Sequence, residues 1–263
     1  MMTDDNLIIF LPGLGFTSNV LNRTEIELKK FSEVIHLDYN LKSIITENEV
    51  QQFKPYLDKI ELIARENHNK KITILGWSAG ATIAIIFLAN LSFVNITGLI
   101  IVEQPPYILD DFNWNLSVFG SFNSYGLNEL LHKINFNYKS FCRDLISLMP
   151  ASGSKLTKFD DEFLYNDMRK TNPNIVKEML IGVASTDLRK QIEKLQIPIL
   201  FMYGSKSMVY PNHAGNWYSI KCHNARIDIF SNSGHMPFWD APLKFSLSVK
   251  NFIRDINRSN YEE

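Results

Sequence analysis

The chain has 263 residues, 45% of them hydrophobic, and 27 basic against 28 acidic side chains leave a formal net charge of -1. That length can bury a full core as one large domain or as a domain with an insertion, and the near-neutral balance gives no electrostatic reason to expect nucleic acid as a partner. Cys142 and Cys222 are too few and too far apart for a disulfide framework or a zinc site, no apolar run reaches the length of a membrane span, and Met1 to Leu11 lacks the basic start of a signal peptide, so a cytoplasmic setting is expected.

Leu7 to Leu11 is a continuous apolar run, as a parallel strand buried on both faces requires. It empties into Pro12-Gly13-Leu14-Gly15-Phe16, whose glycines let the backbone turn N–H groups toward a ligand. Thr17 to Phe31 reads as a helix, Val34 to Leu37 as a second strand, and Glu49 to Asn67 as a helix with one apolar face from Val50, Phe53, Leu57, Ile60 and Ala64.

The segment Lys71 to Ala89 organises the rest. A β-branched run, Ile72 to Leu75, meets Gly76-Trp77-Ser78-Ala79-Gly80 and then an alanine-rich apolar stretch of helical length. Strand, tight turn and helix place Ser78 at an exposed apex, where the flanking glycines relieve the crowding. A hydroxyl so presented is a candidate nucleophile, and the N–H groups of Ala79 and Leu14 are candidates to hold a developing oxyanion. An inert serine in a glycine-rich βα turn is the bland alternative.

Gly98 to Val102 forms the next strand and ends at Glu103. Alternating strands and helices imply an α/β fold with a mostly parallel, doubly wound sheet, whose sites lie at the carboxyl ends of the strands. From residue 105 to 189 the alternation stops, and aromatic residues such as Tyr107, Phe112, Phe122 and Phe141 accompany four helical patterns. The expected organisation is a core of residues 1–104 and 190–263 with a helical lid, 105–189, inserted between two sheet strands. Trp77, Phe16, Phe238 and Tyr107 are candidates to line an acyl pocket. Within the lid, Lys139, Arg143, Lys155 and Lys158 read either as part of a solvated mixed surface or as a dock for an acidic carrier protein.

Strands resume at Pro198 to Tyr203 and at Ala225 to Phe230, and a closing helix is expected from Ala241 to Ile256. Between them, Ser231 to Phe238 forms a polar, glycine-containing loop that carries His235. Its place after the last strand lets it reach Ser78, which makes it the candidate general base.

The elbow, the first glycine loop and Gly234-His235-Met236-Pro237-Phe238 together resemble the α/β-hydrolase superfamily over nearly the whole chain. Gly76-Trp77-Ser78-Ala79-Gly80 and the histidine loop, with Pro242 soon after, are similar to the pimeloyl-carrier-protein methyl ester esterases of biotin synthesis; related esterases and carbon–carbon bond hydrolases use much the same signatures. The resemblance implies a serine hydrolase of acyl esters, small or carrier-linked, with no metal or organic cofactor. An acyl thioesterase or carbon–carbon bond hydrolase with the same residues stays open, as does a binding protein on a hydrolase scaffold.

Three departures qualify the resemblance. Pro12-Gly13 stands where the family carries His-Gly. The chain begins on what would be the family's third strand, so a six-stranded sheet is expected. Most consequentially, Gly204-Ser205-Lys206-Ser207 puts a serine where the family's triad aspartate belongs. Glu103 resembles the alternative acid position of some haloalkane dehalogenases and coelenterazine luciferases, and is the candidate replacement, orienting His235; its alternative role is a carboxylate bonded to lid groups.

Overall fold

A computed structural model describes residues 5–38, 49–91, 93–111, 114–211 and 213–259; Phe112 lies outside them. The first half of the chain runs β1 (Asn6–Leu11), a 3-10 turn (Ser18–Leu21), α1 (Asn22–Leu28), β2 (Glu33–His36), α2 (Glu49–Gln52), α3 (Lys54–Glu66), β3 (Lys71–Trp77), α4 (Ala79–Asn90) and β4 (Ile96–Val102). Helices α5 (Ser124–Phe136), α6 (Tyr138–Ser147), α7 (Lys158–Met168), α8 (Pro173–Ser185) and α9 (Arg189–Ile192) follow before β5 (Ile199–Gly204). Then come α10 (Ala214–Lys221), β6 (Ala225–Phe230), α11 (Pro237–Asp240) and α12 (Pro242–Ser259).

The six strands form one parallel sheet in the order β2-β1-β3-β4-β5-β6. Parallel neighbours need crossovers, and the intervening helices supply them. Every residue of β1 and β5 is buried, as is all of β3 but Lys71, which is why these strands read as unbroken apolar runs rather than alternating ones. Helix α4 is buried from Ala79 to Phe87, so its apolar residues cover the whole circumference rather than one stripe.

The two elbow glycines are steric necessities. A Cβ on Gly76 would sit 2.4 Å from the Ala81 Cα, and one on Gly80 2.3 Å from the Leu11 carbonyl oxygen. Only without those atoms can α4 start this close to β1 and β3.

Element boundaries differ from expectation where local chemistry intervenes. The helix expected over Thr17 to Phe31 opens as a 3-10 turn, with the Thr17 hydroxyl accepting from the Asn19 N–H. The helix expected over Glu49 to Asn67 breaks at Phe53, because Pro55, near the start of α3, lacks the N–H that would continue the ladder. Helices α9 and α10 were not anticipated: α9 spans only four residues, and α10 (Ala-Gly-Asn-Trp-Tyr-Ser-Ile-Lys) has no apolar stripe.

Buried polar groups converge where β4 ends. The hydroxyls of Tyr203 on β5 and Tyr218 on α10 both donate to the Gln104 carbonyl at 2.8 Å, and Tyr210 donates to Gln104 Oε1 at 2.8 Å. Burial pushes all three phenols above their ordinary range, with the Glu103 charge adding to the effect at Tyr203 and Tyr210.

Two outcomes follow from this packing. Gly80→Ala should destabilise the protein by more than about 3 kcal/mol, read as a lowered urea midpoint, because the added methyl meets backbone rather than a movable side chain; a midpoint like that of wild type contradicts the close approach. A phenol with a raised folded-state pKa holds a proton that the unfolded chain releases, so stability should fall as pH rises past about 10. Absorbance at 295 nm should show the three buried tyrosines ionising together with loss of circular dichroism. Ionisation of all tyrosines while the fold persists contradicts it.

Candidate active site

Register brings the strand ends level: Leu11 pairs with Gly76, Trp77 with Val102, and Val102 with Met202. The residues that follow these positions therefore emerge on one edge of the sheet, beside the point where strand order reverses between β1 and β3.

Ser78 occupies the turn after β3 with φ 51° and ψ -125°, left-handed backbone that a side chain normally avoids. Its N–H donates to Val102 O at 2.9 Å and its carbonyl accepts from the Ala81 N–H at 2.8 Å, so strand and helix together hold the strained conformation.

Glu103 also has a positive φ, 51°, and its side chain is completely buried. Its N–H donates to Met202 O at 3.0 Å, which extends the β4–β5 pairing to the carboxylate's own residue. Oε1 accepts from the Gly204 N–H at 2.7 Å, while Oε2 accepts from the Ser207 hydroxyl at 2.7 Å and stands 3.0 Å from His235 Nδ1. A carboxylate oxygen can only accept, so this pairing puts a proton on Nδ1 and leaves Nε2 as the free acceptor of a neutral ring.

His235 is held at several points. Its N–H donates to Met149 O at 3.0 Å, its carbonyl accepts from Trp77 Nε1 at 2.9 Å, and the Trp77 and Tyr210 rings flank the imidazole at centroid distances of 5.5 Å. Tyr210, on the loop after β5, was not among the expected site residues. Besides bonding Gln104, it lines the same cavity as Ser78. A tyrosine beside Pro211 in an apolar stretch carries no sequence signal for that placement.

Ser78, Ala79, Leu14, Tyr210 and His235 line one cavity of about 180 Å³. Most of its wall is apolar, contributed by Phe16, Trp77 and by α5, α6 and α8; Lys133 and Asp144, an ion pair between α5 and α6, are the charged side chains beside it. Two expected lining residues lie elsewhere. Phe238 packs edge-on against Trp77 at 5.1 Å and near Phe10 and Phe245, beneath the site in the core, because α11 turns it inward. Tyr107 accepts from Trp114 Nε1 through its carbonyl and faces the Arg189 guanidinium at 5.0 Å, away from the cavity.

Of the basic residues singled out above, Arg143 is occupied: it pairs with Asp161 and Glu162 and lies 3.6 Å over the Tyr165 ring. Lys139, Lys155 and Lys158 are exposed. Asp167, nearly fully buried, accepts from the Thr17 N–H at 2.9 Å and from its hydroxyl at 2.6 Å, and Arg23 pairs with Asp160, so α7 is tied to the segment after β1. Among the described residues no cluster of histidine, cysteine and acidic side chains could hold a metal ion, and no helix is long and apolar enough to cross a membrane.

No family model matches the chain. It is 24% identical over 266 residues to the pimeloyl-[acyl-carrier protein] methyl ester esterase of Wigglesworthia glossinidia brevipalpis, covering 95% of this chain and 94% of that protein. To the Vibrio parahaemolyticus protein of the same name it is 25% identical, over 76% of each chain. Among solved structures it is similar to an esterase from Exiguobacterium antarcticum, with a TM-score of 0.83, 17% identity and coverage of 97% of this chain and 93% of that one. It is also similar to MenH from S. aureus, with a TM-score of 0.76, 16% identity and coverage of 96% and 94%. Given a six-stranded parallel sheet flanked by helices, a strained serine elbow after its third strand and these likenesses, the chain has the α/β-hydrolase fold.

Proposed function

We propose that the protein is a serine hydrolase of carboxylic esters, acting through an acyl-enzyme. The observation that carries this reading is the 3.0 Å contact between the buried Glu103 carboxylate and His235 Nδ1, which leaves the other ring nitrogen to act in the cavity that Ser78 shares. The names of the similar proteins support an ester as the substrate class.

In this reading Ser78 Oγ attacks the ester carbonyl carbon and its proton passes to His235 Nε2. The carbonyl oxygen, now anionic, faces the N–H groups of Leu14 and Ala79. His235 then protonates the departing alkoxide, and a water, deprotonated by the same nitrogen, releases the acid from Ser78. Glu103 keeps Nδ1 protonated and stabilises the imidazolium formed in each half-reaction. Trp77 and Phe16 contribute apolar wall for the acyl part, and the helices between β4 and β5 cover the strand ends as a lid.

The finer assignment is a pimeloyl-[acyl-carrier protein] methyl ester, named for the similar proteins. A carrier dock on the lid rests on the exposed Lys139, Lys155 and Lys158; Arg143 contributes least, since two carboxylates already engage it.

A fluorophosphonate probe should label the wild type and not Ser78→Ala, and p-nitrophenyl esters of increasing chain length, alongside a carrier-protein methyl ester, should give the substrate preference. Glu103→Gln should lower kcat by roughly three to four orders of magnitude, because the ring loses its preferred tautomer. Asp228→Asn, which removes a carboxylate bonded to Arg226 on the far edge strand, should change kcat little. An unlabelled wild type overturns the reading in favour of a binding protein on a hydrolase scaffold.

A further inference from the structure

Ser207 does more than fill the place of an absent acid. Its hydroxyl oxygen accepts the N–H groups of Val209 and Tyr210, each at 3.3 Å. Neither of those groups can accept in return, so the one hydroxyl proton is directed to Glu103 Oε2, 2.7 Å away. That oxygen also meets His235 Nδ1 at 3.0 Å. With Gly204 holding Oε1 at 2.7 Å, the carboxylate is clamped at both oxygens by the end of β5 and the loop after it, although it is itself carried by the residue that follows β4.

We propose that Ser207 is a positioning residue that acts through Glu103: its loop-anchored hydroxyl fixes the carboxylate oxygen that orients His235. The inference rests on the proposed role of Glu103.

The test uses p-nitrophenyl butyrate turnover together with the downfield proton resonance of the imidazole Nδ1–H, which needs no substrate. Ser207→Ala should lower kcat about tenfold with KM within about twofold, the scale of a lost hydrogen bond to a charged group, and should broaden or shift the resonance. Ser207→Thr, which keeps the hydroxyl, should stay within about threefold of wild type. A Ser207→Ala protein with wild-type kcat and resonance overturns the positioning role. If Glu103→Gln itself keeps wild-type turnover and resonance, the role of Glu103 fails and this inference fails with it; loss in Glu103→Gln with no change in Ser207→Ala sinks only the inference.

Discussion

A carboxylate with no water around it is tolerable only when protein donors face its lone pairs, and the clamp on Glu103 is the constraint from which the rest of the site follows. Three donors from three parts of the chain reach it: a β5 backbone N–H, the Ser207 hydroxyl and the His235 ring. Removing one donor from a buried charge costs more than the bond was worth in isolation, because the charge stays behind unsatisfied. The same three contacts fix the distance between the end of β4, the loop after β5 and the loop after β6, which no single strand pairing does.

The elbow supplies the opposite requirement, a group held in a conformation it would not choose. Ser78 keeps its positive φ because β4 accepts its N–H and α4 begins at the next residue, with no room to relax between Ala81 and the end of β1. Strain at one strand end and a desolvated charge at its neighbour both oppose folding. The buried runs of β1, β3 and β5 and the wholly apolar α4 offset them, and those elements lie directly beneath the two sites of strain.

Much of this was legible in the residues. Every strand was identified to within a residue or two, most plainly β1, β3 and β5, whose burial on both faces leaves an unbroken apolar run, and glycine spacing identified the elbow. The order of strands in the sheet is carried by no run of residues and is seen only in the assembled fold. Helix α10 was hidden because a short helix against an edge strand needs no apolar stripe, and Phe238 was misplaced because proximity in sequence to His235 says nothing about which way α11 turns. Tyr210 illustrates the remaining limit: its bond to Gln104 is a relation between the end of β4 and the loop after β5 that exists only once the sheet is assembled.

Glu103 and Gln104 show why the end of β4 governs the site. In an extended strand two successive side chains point to opposite faces. The left-handed backbone at Glu103 breaks that alternation, so that Glu103 bonds His235 while Gln104, which donates to the Thr82 hydroxyl at 3.1 Å, accepts from the Tyr210 hydroxyl. Two adjacent residues thereby brace His235 and Tyr210 from one strand end. Tyr210, whose phenol burial keeps neutral, adds no competing charge, so the buried charge beside His235 is that of Glu103. Under the proposed function, a largely apolar cavity around one oriented imidazole suits an uncharged ester better than an anion, because the lysine among the described lining residues, Lys133, is already paired with Asp144.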